Sequence, residues 1–102
     1  MTTTMVVLFN LREGVDAAAY EEWARTRDAV TVRSLPSIEG FRVVRIAGAL
    51  RGDAPYEYVE LIEINDMERF GEDIAGDEMT RVAEEFQQWA DNPLFIHGEE
   101  VA

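Results

Sequence analysis

The chain of 102 residues has no cysteine and no lysine, and its nine basic residues are all arginine. Without cysteine there are no disulfides, thiolate nucleophiles or Cys-ligated metals. Without lysine there is no Schiff-base nucleophile and no lysine to cradle a phosphate. The sequence therefore leaves carboxylates, arginine, hydroxyls and one histidine as the groups available for chemistry.

Positive charge is scarce, with 21 acidic residues against nine basic ones and a net charge of −12. Nucleic acids and anionic membranes bind clustered positive charge, so neither is an expected partner. No apolar run approaches the roughly 18 residues of a membrane span, and no signal-peptide pattern is present. We expect a cytoplasmic protein without a membrane segment.

Known catalytic and nucleotide-binding motifs are also missing. The sequence contains no GxGxxG, P-loop, GxSxG or HExxH pattern, which argues against a nucleotide or flavin site. A lone histidine without cysteine is weak evidence for a metal site. We therefore expect neither a cofactor nor a metal.

The sequence does contain strand-like and helix-like patterns of apolar residues, which follow one another in a definite order. Alternating apolar residues predict four strands separated by helical stretches, in the order βαββαβ. The expected strands are Met5–Leu11, Phe41–Ala47, Tyr56–Ile64 and Leu94–His97. Asp16 fits the N-cap of a first helix that runs to about Arg33, and Asp66 fits the N-cap of a second helical region.

Helical spacing places apolar stripes on both helical regions. The first stripe is expected to contain Tyr20, Trp23, Ala24, Arg27, Val30 and Thr31. The later helices are expected to turn inward Met67, Phe70, Ile74, Met79, Val82, Ala83, Phe86 and Ala90, with Trp89 at the edge.

This order predicts one α+β domain over residues 1–102, a ferredoxin-like unit with a four-stranded antiparallel sheet. Its helices cover one face of the sheet, and the apolar strands leave a second face that a partner chain must cover. We expect Val6, Leu8, Tyr58 and Ile62 on that second face, hence a homodimer. Glu60 would share this face and pair with Arg45 or an arginine of the partner, or else act as a base.

Two polar residues are candidates for catalysis. His97, the single histidine, has an unperturbed pKa near neutrality, so it is a candidate general acid or base; the alternative is an interface histidine bonded to a carboxylate. Arg27 is a candidate anchor for a substrate carboxylate or phenolate, and the alternative is a stem that covers apolar surface with its head in water.

Large side chains are numerous for so small a core. They favour a pocket for a flat aromatic ligand, while plain core packing is the alternative. The expected substrate-binding residues are Phe9, Tyr20, Trp23, Met79, Phe86 and Trp89.

Several segments resemble a known family. The opening MVVLFNLREGVD, the helix with Tyr20 and Trp23, the Leu35-Pro36 stop, the strand YEYVELIEI before Asp66 and the ending WADNPLFIHGEEV are similar to the RedY/HapK-like proteins. Those belong to the dimeric α+β barrel superfamily. The resemblance covers nearly the whole chain and rests mainly on apolar positions.

The resemblance implies a homodimer with a pocket between sheet and helices, and work on a small aromatic intermediate of secondary metabolism without a cofactor. RedY-like proteins are associated with prodiginine-type and bisindole pigment pathways. Cyclisation, condensation or rearrangement is the implied reaction class. A non-catalytic protein that protects an intermediate and a cofactor-free monooxygenase of the antibiotic-biosynthesis type are the alternatives. Related polyketide cyclases use a histidine at the start of the last helix, where this chain reads Gly76-Asp77-Glu78-Met79.

Overall fold

The structure, a computed structural model, describes residues 2–102. In chain order its elements are β1 (Thr3–Leu11), α1 (Ala17–Trp23), a π-helical turn (Ala24–Asp28), α2 (Ala29–Arg33), β2 (Ile38–Arg45), β3 (Tyr58–Ile64), α3 (Met67–Ile74), α4 (Asp77–Trp89) and β4 (Ala90–Glu99). The predicted order is confirmed. Strand β4 is longer than predicted and begins directly after α4.

The four strands of the described chain form one sheet in the order β2-β3-β1-β4, with antiparallel pairing throughout. Strands β1 and β2 both pair with β3, and β3 and β4 both pair with β1, so each helical connection joins two parallel strands separated by a third. This is the predicted ferredoxin-like α+β architecture.

The helix starts follow the predicted capping chemistry. The Asp16 carboxylate accepts a hydrogen bond from the backbone N–H of Ala19, at the start of α1. The Asp66 carboxylate accepts from the N–H groups of Glu68 and Arg69, at the start of α3. Each cap satisfies backbone donors that have no partner within the helix.

The π-helical turn changes which residues of the first helical region face the sheet. A π-helical turn holds more residues than an α-helical one, so positions after it rotate relative to a regular stripe. Asp28 is buried, whereas Arg27 is only half-buried. The prediction that Val30 lies on the inward stripe is wrong, because the turn leaves its side chain 62% exposed.

Strand register corrects the predicted faces of β3. Val7 pairs with Glu60 and Phe9 with Tyr58, and residues opposite each other share a face. Tyr58, Glu60 and Ile62 therefore lie with Val7 and Phe9 on the helix-packed side, which we call the covered face. The prediction that these β3 residues lie on the dimer face is wrong, because alternation separates two sets of side chains without showing which set meets the helices.

The expected pairing of Glu60 with Arg45 is also wrong. The Arg45 guanidinium binds the Glu21 carboxylate, with Nη2 to Oε1 at 2.6 Å and Nε to Oε2 at 2.8 Å. Glu60 lies one row further along the sheet, opposite Val43, and its side chain is buried beneath the helices.

The other side of the sheet, which we call the bare face, carries two aligned rows of mostly aliphatic side chains. One row crosses all four strands as Val44, Val59, Leu8 and Leu94, and the next as Arg42, Leu61, Val6 and Ile96. Val44, Leu94 and Ile96 are 40%, 43% and 47% exposed.

No helix of residues 2–102 is both long and apolar enough to cross a membrane.

Candidate functional site: an apolar cavity with two carboxyl groups

A cavity of about 320 Å³ lies between the covered face and the helices. Its volume falls within the range of small-molecule sites. Apolar side chains from both layers form most of its wall, namely Met5, Val32, Leu35, Phe41, Ile62, Phe70, Ile74, Met79, Val82, Ala83, Phe86, Pro93 and Phe95. The polar groups at the wall are Asp28, Glu60 and Gln87.

Asp28 and Glu60, which we call the carboxyl pair, reach the cavity from opposite layers. Glu60 projects from β3 because it is opposite Val7 on the covered face. Asp28 projects from the helical layer because the π-helical turn brings it round to the sheet. Both residues are buried, with exposed fractions of 5% for Asp28 and 6% for Glu60.

Burial shifts the acidity of both groups. Loss of hydration raises the pKa of Asp28 from 3.8 to about 7, and the negative charge of Glu85 adds to this rise. Burial also raises the pKa of Glu60 well above its ordinary value, and the charge of Asp28 raises it further. Two carboxyl groups that share a site with little water resist ionising together.

Raised pKa values in such a pair favour a proton on one member while the other is free to accept one. One group is then a proton donor and the other a proton acceptor toward a molecule in the cavity. The apolar wall excludes water and strengthens the electrostatic effect of each carboxyl group on a bound ligand. The arrangement is suited to proton transfer on an uncharged or cationic organic molecule.

The predicted substrate-binding residues divide into two groups. Met79 and Phe86 line the cavity. Phe9, Tyr20, Trp23 and Trp89 form an aromatic cluster beside it, in which Phe9 and Phe86 have ring centroids 5.0 Å apart and Tyr20 and Trp89 6.0 Å apart. Phe86 belongs to both, so the cluster supports one wall of the cavity, and substrate contact by the other four stays a prediction.

Arg27 lies away from the cavity, in an ion-paired cluster that joins the first helical region to α4. Its Nη2 lies 2.9 Å from Glu85 Oε2, and its Nη1 bonds Glu78. The Trp23 indole N–H also donates to Glu85, with Nε1 to Oε1 at 2.8 Å. These carboxylates hold the Arg27 guanidinium, and its predicted role as a substrate anchor requires it to leave them.

His97 lies on the covered side of the sheet, on the edge strand β4. It pairs with Met5, in the row that also contains Phe41 and Ile62. Those three residues line the cavity, but the His97 side chain is exposed and lies beyond its wall. Its predicted catalytic role stays a prediction. In residues 2–102 no group of three or more His, Asp or Glu side chains is arranged to hold a metal ion.

Asp28 is the site residue that the sequence reasoning missed. A regular helical stripe places Arg27 inward, one position before it, and the π-helical turn reverses the two. A usable indication was present, because Tyr20, Ala24 and Asp28 follow one another at intervals of four and all three are buried. An acidic residue at that spacing is a candidate for a buried carboxyl group.

Comparison with known proteins gives a consistent result. The family model of REDY-like protein HapK matches residues 3–101. The crystal structure of HapK from Hahella chejuensis is 31% identical, covers 97% of this chain and 92% of its own, and superimposes with a TM-score of 0.79. A search of curated proteins finds no match.

More distant structures share the fold. SnoaB, a cofactor-independent oxygenase from Streptomyces nogalater, is 17% identical with a TM-score of 0.74, over 97% of this chain and 92% of its own. A dimeric ferredoxin-like protein from Thermobifida fusca is 11% identical with a TM-score of 0.77, over 96% and 90%. The match to the family model spans nearly the whole chain, and the protein belongs to the REDY-like HapK family.

Proposed function

We propose that this protein is a small cofactor-independent enzyme of secondary metabolism that binds an aromatic intermediate of the indole or pyrrole type in the cavity. The reaction is a cyclisation, condensation or rearrangement in which protons move to and from the ligand. The observation that carries the proposal is the buried carboxyl pair in an otherwise apolar cavity. Membership of the HapK family supports the pathway context.

Asp28 and Glu60 divide the work according to their acidity. With a pKa of about 7, Asp28 is partly ionised at neutral pH and acts as the base. Burial raises the pKa of Glu60 well above its ordinary value, and we assign it the role of the acid. A flat ligand packed against Phe41, Phe86 and Phe95 presents its reacting edge to both groups.

A homodimer completes the proposal. The two rows of the bare face are mostly aliphatic and partly exposed, and such a contiguous patch is unusual on a monomer. At about 25 cal/mol per Å², burying several hundred Å² of it gives many kcal/mol before the cost of association. Sheet-to-sheet packing about a twofold axis covers the patch on both copies at once.

The test uses Asp28→Asn and Glu60→Gln, which preserve side-chain size but remove proton transfer. Purified protein is incubated with candidate indole or pyrrole intermediates, and products are followed by mass spectrometry over many turnovers. We expect each variant to lose about 100-fold or more in turnover, since general acid–base catalysis contributes that much. Asp53→Asn, in an exposed loop, is the matched control and keeps full activity.

Four outcomes contradict the proposal in different ways. Undiminished turnover in both carboxyl variants removes the pair from catalysis. Loss of turnover in His97→Ala alone assigns the proton transfer to His97. Strictly stoichiometric protection of the ligand by the unaltered protein indicates a binding protein, and oxygen uptake in step with product indicates an oxygenase.

A further inference from the structure

The hydroxyl group of Tyr20 is buried without a hydrogen-bond partner. The residue has no exposed surface, and its Oη is one of two buried side-chain polar atoms of residues 2–102 that lack a partner, the other being Ser37 Oγ. Leaving such a group unpaired costs stability, and most buried hydroxyls are paired. A phenylalanine at this position would avoid that cost.

Tyr20 and the carboxyl pair occupy neighbouring levels of the same packed layer. On the helical side, Tyr20, Ala24 and Asp28 are buried at intervals of four residues. On the sheet, Tyr58 and Glu60 are two residues apart on the covered face. The Tyr20 and Tyr58 rings contact each other, with centroids 5.0 Å apart. The two tyrosines therefore form one row between helix and sheet, and the two carboxyl groups belong to the next row.

Burial and the neighbouring charged groups all raise the pKa of the Tyr20 phenol, by different amounts. Burial is the largest cause that raises the pKa of the Tyr20 phenol above its ordinary value. The charges of Glu60 and Asp28 raise it further, and those of Tyr58 and Glu21 contribute less. The phenol is therefore protonated at neutral pH and available as a hydrogen-bond donor.

Tyr58 and Glu21 are already bonded to each other. The Tyr58 hydroxyl donates to Glu21 Oε2 at 2.7 Å, and Arg45 binds the same carboxylate. The Tyr58 hydroxyl and the Glu21 carboxylate therefore have hydrogen-bond partners without Tyr20. The other two acidic groups whose charges act on the Tyr20 phenol, and the two that act most strongly, are Glu60 and Asp28.

We propose that Tyr20 is a positioning residue whose hydroxyl donates a hydrogen bond to the carboxyl pair when the pair loses its proton. The bond holds the ionised carboxylate in a fixed orientation toward the cavity and gives the buried hydroxyl its partner in that state. The hydrogen bond depends only on how these side chains are packed, whereas its contribution to catalysis rests on the proposed function.

The test is a ¹³C NMR titration of the side-chain carboxyl carbons of Asp28 and Glu60 in the full-length protein. A donor to the charged form favours ionisation, so Tyr20→Phe raises the first titration midpoint of the pair by about one pH unit. Tyr58→Phe is the matched control: it also removes one buried-layer hydroxyl, but one that bonds Glu21, and it leaves that midpoint unchanged.

A titration of Tyr20→Phe that superimposes on that of the unaltered protein overturns the inference and shows an unpaired hydroxyl with no role at the pair. The same measurement is independent of turnover. If Tyr20→Phe shifts the midpoint while Asp28→Asn keeps full activity, the hydrogen bond stands and the proposed function fails. If Asp28→Asn is inactive and the midpoint does not move, only the inference fails.

Discussion

On the covered face of the sheet, the buried residues Glu60 and Asp28 line the same apolar cavity; on the bare face, Leu94 and Ile96 keep nearly half of their surface exposed. An isolated domain gains stability from the opposite arrangement, with carboxylates in water and aliphatic groups inside. Each face therefore carries a feature that folding of the single chain does not favour, and the proposed function assigns to each a molecule outside that chain.

The two faces differ in the size of that molecule. The carboxyl pair faces a partly open cavity of about 320 Å³, a volume in the range of small-molecule sites. The bare face is a broad surface crossing four strands, which fits a second sheet of the same kind. In the proposed function, the covered face binds the small ligand and the bare face binds a second copy of the chain.

The largest expected effect is on dimer formation through the bare face. Leu8→Arg places a charge between Val59 and Leu94 at the centre of the aliphatic rows. Burying an unpaired charge at an interface is strongly unfavourable, so we expect the dimer dissociation constant to rise about 100-fold or more. Sedimentation over a concentration series measures it. Ala18→Arg, on the exposed side of α1, adds the same charge and leaves the dimer intact; an unchanged dimer in Leu8→Arg excludes this interface.

The next effect is on stability and belongs to the covered face. The folded pKa of Asp28, about 7, exceeds its ordinary value of 3.8, so the folded protein retains a proton that the unfolded chain releases. The free energy of unfolding therefore falls as pH rises between these two values. We expect Asp28→Asn to remove this fall and to stabilise the protein at about pH 8 by roughly 2–4 kcal/mol.

Denaturant unfolding at fixed protein concentration measures this difference. At about pH 4, where Asp28 is protonated in the folded state, the variant gains little. The exposed Asp53→Asn variant shows no such pH dependence. A gain of equal size at both pH values would mean that the pKa of Asp28 is the same in the folded and the unfolded protein.

The smallest effect concerns the link between the cavity and the ion-paired cluster on the helices. The charge of Glu85 contributes to the raised pKa of Asp28, so Glu85→Gln lowers the Asp28 midpoint by less than about one unit. Glu84→Gln, the exposed neighbour, removes the same charge without moving that midpoint. Identical shifts in the two variants would mean that only the overall charge of the protein matters.

Much of the fold could be predicted because local chemistry specifies it. Alternation marks the strands, and Asp16 and Asp66 mark helix starts through their capping geometry. The faces of β3 could not be predicted in the same way. Whether Glu60 meets helix or partner depends on its register with Val7, a contact across more than 50 residues of chain that local periodicity does not contain.

The candidate site was only partly predictable for a related reason. Met79 and Phe86 follow regular α-helical spacing and line the cavity. Arg27 and Asp28 lie three and four residues after Ala24, and α-helical spacing alone does not choose between them. In the structure a π-helical turn spans this stretch, and Asp28 is the one that is buried. Such turns are frequent at functional sites, and here the irregularity is what places a carboxyl group opposite Glu60.

The most direct measurement is the titration of the Asp28 carboxyl carbon by ¹³C NMR in the unaltered protein. We predict a midpoint near 7, caused by loss of hydration on burial and, to a lesser extent, by the negative charge of Glu85. A midpoint near 4, the ordinary value for an aspartate in water, would contradict the account of the covered face as an acid–base site.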